Sequence, residues 1–411
     1  MKTDLTVPSS KSHTLRAILF AALADGTSQI ERFLVSPDTT AMIKAVFSFG
    51  ATVHIQNNIL KIRGVAGKLQ PPHAIECGNS GIVLRFIGAL AALLPYPTIL
   101  TGDASIQQRR LATPLLEALR QLGASATSIR GDGFAPLCIQ GPITQKSATL
   151  DGEDSQPVSG LLIAASLAPH PIELHVTNPG EKPWVDLTLH WLRRLGIRYE
   201  RRGASYYRLE GNAKIDAFSY CVPGDFSSAA FPIAAALITN AELTLHNLDL
   251  EDCQGDQAIL PALEQMGATF EWKGTNLIVR KGAHLRGISL DINDFIDALP
   301  ILAVIGCFAK GRTKLYNAAI ARKKESDRIH AMATELKKMG ARIEETPDGL
   351  IIHSSVLHEA PLQSYNDHRV AMALAVAALG AKSFCAIADT GCVAKTYPNF
   401  WEDLEYHSLR I

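Results

Sequence analysis

Two kinds of helical pattern alternate along the chain. In one, a polar first turn leads into a segment that is apolar on every face: SKSHTLRAILFAALA, GNSGIVLRFIGALAAL, DSQPVSGLLIAASLA, GDFSSAAFPIAAAL, DFIDALPILAVIGCFA and NDHRVAMALAVAAL. A helix without a polar face has to be buried. The other kind keeps a polar face and ends in Gly plus a small or apolar residue, as in FSFGA, RQLGA, RRLGI, EQMGA and KKMGA. Its glycines, Gly50, Gly123, Gly196, Gly267 and Gly340, recur every 71 to 73 residues. Helix ends explain each glycine alone, but only a repeat explains the register.

After each such glycine come two alternating runs around a turn, for example ATVHIQ-NN-ILKIRG, ATFEWK-GTN-LIVRKG and ARIEET-PDG-LIIHS, which predict hairpins. Between the two helices lies one more strand-like run, as in PTILTGD, PIELHVTN, AELTLHNL and TKLYNAAI. The module is therefore β-α-β-α-β-β, and six of them, about 68 residues each, nearly exhaust the 411 residues. One module cannot shield its apolar helix, so the expected fold is α/β, two groups of three modules around buried helices. A break near Val222 and Pro223 separates them. The expected domains are 11-222, with repeats 1-3, and 1-10 plus 223-411, with repeats 4-6 and a strand from Leu5-Thr-Val-Pro8. Two chain crossings, near 8-12 and 220-225, would form a hinge. Only ten residues precede Lys11, so that strand is expected to be short, a missed upstream start being the plain alternative.

Composition narrows the partners. Forty Lys plus Arg balance forty Asp plus Glu, which argues against nucleic acid or a membrane surface but not against a small anion held by a few focused cations. Seven cysteines, without a Cys-x-x-Cys or Cys-x-x-His pair, make a disulfide framework and a zinc site unexpected. The longest apolar run, Ala298 to Ala309, is short for a bilayer span, and the chain reads as cytoplasmic.

If three apolar helices per domain run parallel, their N-termini emerge on one face, with free N–H groups that favour phosphate and carboxylate. The residues there suit such ligands. They are Lys11, Ser12 and Arg16; Asn79, Ser80, Gly81 and Arg85; Ser155 and Gln156; Asp225, Ser227, Asp297, His368 and Arg369. Ordinary N-capping accounts for Ser, Asn and Asp. It does not account for Lys, Arg and His at the wrong end of a helix dipole. GDASIQQRR places Arg109 and Arg110 before a helix, and in ARKKESDRI a helix would set Lys324 and Arg328 on one face with Glu325 beside them.

In order and spacing, PSSKSHTLRA, GNSGIVLRF, GDASIQQRRL, DSQPVSGLL, GDFSSAAF, DFIDALP, ARKKESDRI, NDHRVAMA and AKTYPNFW resemble the motifs of the 5-enolpyruvylshikimate-3-phosphate synthase family. The resemblance spans essentially the whole chain. It implies a two-domain inside-out α/β barrel, three modules per domain, and transfer of the enolpyruvyl group of phosphoenolpyruvate to the 5-hydroxyl of shikimate 3-phosphate, without metal or organic cofactor. By resemblance, Lys11, Gly81, Arg109, Gln156, Arg328, Arg369 and Lys395 would hold phosphoenolpyruvate. Lys11, Ser12, Arg16, Ser155, Gln156, Asp297 and Lys324 would hold shikimate 3-phosphate. Glu325 would act as acid and then base, Asp297 would accept the hydroxyl proton, His368 would polarise or donate near the phosphate, and Lys11 is a rival proton donor. A monomer is the family expectation.

Some positions depart from the family. Asp154 and Glu181 stand where many members have serines, and should repel a phosphate unless Lys182 or another cation screens them. Trp184 replaces a frequent Tyr; Ile82 and Phe86 replace a Thr and a Pro, changes expected to lower sensitivity to the inhibitor glyphosate. The nearest rival acts on UDP-N-acetylglucosamine with a catalytic cysteine, but the corresponding loop, Gly102 to Arg110, has none. Transfer to another alcohol, and a non-catalytic scaffold, are the remaining alternatives.

Overall fold

The computed structural model describes residues 2–381 and 385–404. Contacts divide the chain into two compact units, Lys11–Val222 and the segments ending at Ser10 and beginning at Pro223.

In the Lys11–Val222 unit the helices are α1 (Lys11–Leu23), α2 (Pro37–Ser48), α3 (Gly81–Ala91), α4 (Ala104–Gln108), α5 (Thr113–Gln121), α6 (Ser155–Leu167) and α7 (Lys182–Arg194). Beyond its first residue α1 is buried throughout, and α3 and α6 are nearly so, as their lack of a polar face requires. Helices α3 and α6 pack closely: a Cβ on Gly160 would lie 2.8 Å from the Arg85 carbonyl oxygen. Three four-stranded sheets surround them, each a parallel pair extended by an antiparallel hairpin. In the first, Thr27–Glu31 pairs parallel with Ser219–Cys221 and antiparallel with Ile59–Arg63.

The second unit holds α8 (Phe226–Thr239), α9 (Ile259–Met266), α10 (Leu299–Phe308), α11 (Arg328–Lys338), α12 (His368–Ala381) and α13 (Phe400–Asp403). Helices α8, α10 and α12 form its buried centre. Asp4–Thr6 pairs parallel with Leu243–His246, and Leu362–Gln363 with Ile387–Ala388. The four-stranded sheets run parallel, then antiparallel, around buried apolar helices, the α/β arrangement expected from the modules.

All five repeat glycines adopt positive φ, from +73° to +109°, the left-handed helix ending that glycine permits. Two local expectations fail. Lys324 and Arg328 share no helix face: Lys324 is extended (φ −85°, ψ −155°) after a 3-10 turn, and α11 begins at Arg328 because the Asp327 side chain caps it, accepting from His330 N at 3.0 Å. Asp297 lies in a 3-10 segment, Asn293–Ala298, rather than in the apolar helix proper. Pro300, which lacks an N–H, cannot continue the α-helical ladder back to Ile296. Among the described residues no helix is long and apolar enough to cross a membrane.

Candidate active site

In the second unit, three helix starts and two 3-10 turns bring charged residues into one buried network. Arg328, the first residue of α11, is almost fully buried and reaches three carboxylates. Its Nη1 donates to Asp297 Oδ1 at 2.6 Å, Nη2 to Glu325 Oε2 at 2.9 Å, and Nε to Asp367 Oδ2 at 2.8 Å. Burial alone would lower its pKa; Asp367, Glu325 and Asp297 outweigh that and hold the guanidinium above its ordinary value. Lys395 Nζ, on the Thr390–Lys395 turn, donates to Glu325 Oε1 at 2.9 Å. Each oxygen of Glu325 thus accepts from a cation, which fixes the plane of its carboxyl.

Arg369, on the first turn of α12, pairs through Nη2 with Asp297 Oδ2 at 2.8 Å and donates to Ser227 Oγ at 2.9 Å. Ser227 in turn donates to Asp225, the cap of α8, at 2.6 Å. Asp297 therefore bridges two guanidiniums, and with 21% of its side chain exposed it is the most accessible of the three carboxylates. The cations Arg328, Arg369 and Lys395 thus face Asp297, Glu325 and Asp367, while Arg369 Nη1 is buried with no hydrogen-bond partner among the described residues. His368, first in α12, is buried, with Nδ1 3.8 Å from Asp367 Oδ1. Lys324 is buried one residue before Glu325.

The Lys11–Val222 unit gathers a second set. Lys11 opens α1, its Nζ 3.7 Å from Asp38 Oδ2, which also accepts from Ser80 Oγ at 3.1 Å. Arg16, one turn on, donates to Thr188 Oγ1 at 2.8 and 3.0 Å, to the Trp184 carbonyl at 3.1 Å and to the Ser12 carbonyl at 3.2 Å. Its guanidinium lies 5.1 Å from the centre of the Phe86 ring, a cation–π arrangement. Phe86 and Trp184 thus support Arg16, one by its face and the other by its backbone.

Gly81 opens α3 against Gln156 on α6. A Cβ there would lie 2.8 Å from Gln156 Oε1 and 3.1 Å from Arg85 Nη1, so the approach depends on glycine. Gln156 Oε1 is shielded from solvent and has no hydrogen-bond partner among the described residues. Of the two arginines in GDASIQQRR, Arg110 is buried and its Cζ lies 3.7 Å from that Cβ position, whereas Arg109 is half-buried at the end of α4.

The acidic departures have defined partners. Asp154 caps α6, accepting from Gln156 N at 3.0 Å, and pairs with Arg85 Nη2 at 3.2 Å; Lys182 is exposed. Glu181 is buried in a left-handed conformation (φ +46°), its Oε2 3.3 Å from Ser155 N and 3.4 Å from Ser155 Oγ. A carboxylate thus already lies at the N-terminus of α6, where a helix favours an anion.

Sequence reasoning passes over Asp367, which is wholly buried and also accepts from Ser326 Oγ at 3.0 Å and Arg369 N at 2.9 Å. Its place directly before His-Arg in NDHR is the signal that could have found it: an acid beside cations at a buried helix start. Asp38 carries only the weak signal of an acidic first turn after Pro37. Burial pushes the Cys307 and Cys392 thiols up to about 12, so neither offers a thiolate near neutral pH.

Comparison with known proteins places the chain in a family. The sequence model of the family described as EPSP synthase (3-phosphoshikimate 1-carboxyvinyltransferase) matches residues 1–404. A 3-phosphoshikimate 1-carboxyvinyltransferase of Chlamydia caviae is 44% identical over 415 residues, covering 98% of this chain and 93% of the relative. That of Chlamydia muridarum is 44% identical over 407 residues, covering 97% and 90%. A solved EPSP synthase structure from Acinetobacter baumannii superposes with a TM-score of 0.78 at 30% identity, covering 98% of this chain and 95% of that one.

Proposed function

The chain belongs to the EPSP synthase (3-phosphoshikimate 1-carboxyvinyltransferase) family, whose reaction moves the enolpyruvyl group of phosphoenolpyruvate to shikimate 3-phosphate, and from that premise we propose how its own residues divide the work. The observation that carries the proposal is the buried network joining Arg328, Arg369 and Lys395 to Glu325, Asp297 and Asp367.

Both substrates carry a phosphate and a carboxylate. Forked guanidiniums suit such groups, since they donate two parallel hydrogen bonds. Lys11, Gly81, Arg109, Gln156, Arg328, Arg369 and Lys395 are assigned to phosphoenolpyruvate. Ser12, Arg16, Ser155, Gln156, Lys11, Lys324 and Asp297 are assigned to shikimate 3-phosphate. The 5-hydroxyl oxygen attacks C2 of phosphoenolpyruvate and its proton passes to Asp297, the carboxylate with open access. Glu325 gives a proton to C3, turning methylene into methyl. Loss of a methyl proton back to Glu325, with cleavage of the C2–O bond to phosphate, completes the transfer, and the phosphate leaves with the proton that Asp297 took from the hydroxyl. His368 assists at the phosphate, and Lys11 is the alternative donor. Charge balance over the whole chain supports two small-molecule substrates rather than nucleic acid or a membrane surface as partners, and we take the enzyme to be a cytoplasmic monomer.

Phosphate release with phosphoenolpyruvate and shikimate 3-phosphate, compared with shikimate and with UDP-N-acetylglucosamine, tests the reading. Turnover only with shikimate 3-phosphate is expected; turnover only with the nucleotide sugar would replace it.

Glu181 bears on the phosphate subsite. Its carboxylate uses the Ser155 donors assigned to the substrate phosphate, and two anions at one helix start repel. Glu181→Ser is therefore expected to lower KM for shikimate 3-phosphate by roughly tenfold with kcat little changed. A higher KM in steady-state kinetics would show that the carboxylate aids binding.

A further inference from the structure

Glu335 lies in the interior of α11 with no exposed side-chain surface, yet it has no part in the network above. Its oxygens accept from Lys338 Nζ at 2.8 and 2.9 Å, from Gln363 N at 3.0 Å and from the Tyr365 hydroxyl at 2.7 Å. Burial and the Glu335 carboxylate push the Tyr365 hydroxyl up to about 12, so it remains a donor over the working range.

The two partners beyond α11 are Gln363, which ends the strand Leu362–Gln363, and Tyr365, in the loop that leads from it directly into Asp367, His368 and Arg369. Tyr365 and Asn366 in that loop are consecutive left-handed residues, φ +56° and +55°, a conformation that non-glycine residues hold only when their surroundings impose it. Glu335 follows Arg328 by seven residues, two helical turns, which puts both on one face of α11 roughly 10 Å apart. Arg328 grips Asp367, at the loop's end, while Glu335 grips Gln363 and Tyr365, at its start. One helix face therefore holds the loop at both ends.

We propose that Glu335, together with Tyr365, is a positioning residue for the transfer reaction: it holds the 363–366 loop against α11 so that Asp367 meets Arg328 and Arg369 is presented in place. The inference rests on the assignment of Arg328 and Arg369 to phosphoenolpyruvate and deepens it.

Steady-state phosphate release by full-length Tyr365→Phe, Glu335→Gln and the double variant tests it, with thermal melting of each. Misplaced cations weaken one substrate's binding, so KM for phosphoenolpyruvate is expected to rise about fivefold in Tyr365→Phe and about tenfold in Glu335→Gln. KM for shikimate 3-phosphate should stay within twofold, and the double variant should fall short of the product of the singles because both act through one contact. A merely structural role would reduce the folded fraction, lowering kcat and leaving both KM values unchanged. That result, or a phosphoenolpyruvate KM within twofold of the parent in both single variants, overturns the proposal. If Glu335→Gln does not fold, Tyr365→Phe decides, since that side chain is 40% exposed. Arg369→Lys separates the two levels: an unchanged phosphoenolpyruvate KM there overturns the assignment of Arg369, whereas a rise there without one in the loop variants overturns the positioning role alone.

Discussion

Glu325→Gln is expected to slow turnover by roughly a thousandfold, within the range by which a positioned acid–base group contributes, while both substrates still bind. The amide keeps the shape and one acceptor but can neither deliver a proton to C3 of phosphoenolpyruvate nor take it back. Both halves of the reaction therefore fail together. Part of the cost is geometric: Lys395 and Arg328 each donate to one carboxylate oxygen at 2.9 Å, so the amide nitrogen must face a cation. Two measurements separate chemistry from geometry. Equilibrium binding of shikimate 3-phosphate should be unchanged, because the disturbed cations belong to the other substrate. In deuterium oxide the parent enzyme should place deuterium on the methylene of recovered phosphoenolpyruvate, through the transient methyl group, and the variant should not. Turnover within tenfold of the parent would move the acid–base role elsewhere, and the same exchange experiment on Lys11→Met would test the alternative donor.

What the sequence makes legible is local and periodic. The apolar helices, the hairpins and the left-handed glycine endings all follow from spacing, because burial on every face and a positive φ restrict residue type at each position. Charges four apart in ARKKESDRI mislead when they are read as a helix face. Asp327, a capping residue type inside the same run, is the better guide, since a side-chain cap starts a helix and leaves Lys324 outside it. Pairings between distant segments are beyond such reasoning. Arg328 and Asp367 are 39 residues apart, Glu335 and Tyr365 30, and nothing in either segment specifies the other before the fold joins them. The same holds for Glu181: sequence predicts repulsion of an anion, whereas the structure shows the side chain taking Ser155's donors for itself.

Arg328→Leu is expected to cost about 3–5 kcal/mol of the stability of its unit, as for other buried ion pairs broken from one side, and to abolish measurable turnover. The loss is not shared evenly. Glu325 keeps Lys395, and Asp297 keeps Arg369. Asp367, with no exposed surface, keeps the Ser326 hydroxyl, the Arg369 N–H and the nearby His368 ring, none of which replaces the guanidinium. A buried carboxylate deprived of its guanidinium is left with an uncompensated charge. In the parent the folded-state pKa of Arg328 is raised, so its contribution is complete below the unfolded-state value and is lost only in strong base; across roughly pH 5 to 9 it is constant. Urea denaturation of both proteins at neutral pH measures the deficit. A deficit below about 1 kcal/mol would mean that the Asp367 carboxylate is held by its remaining partners, and that the guanidinium serves the substrate more than the fold.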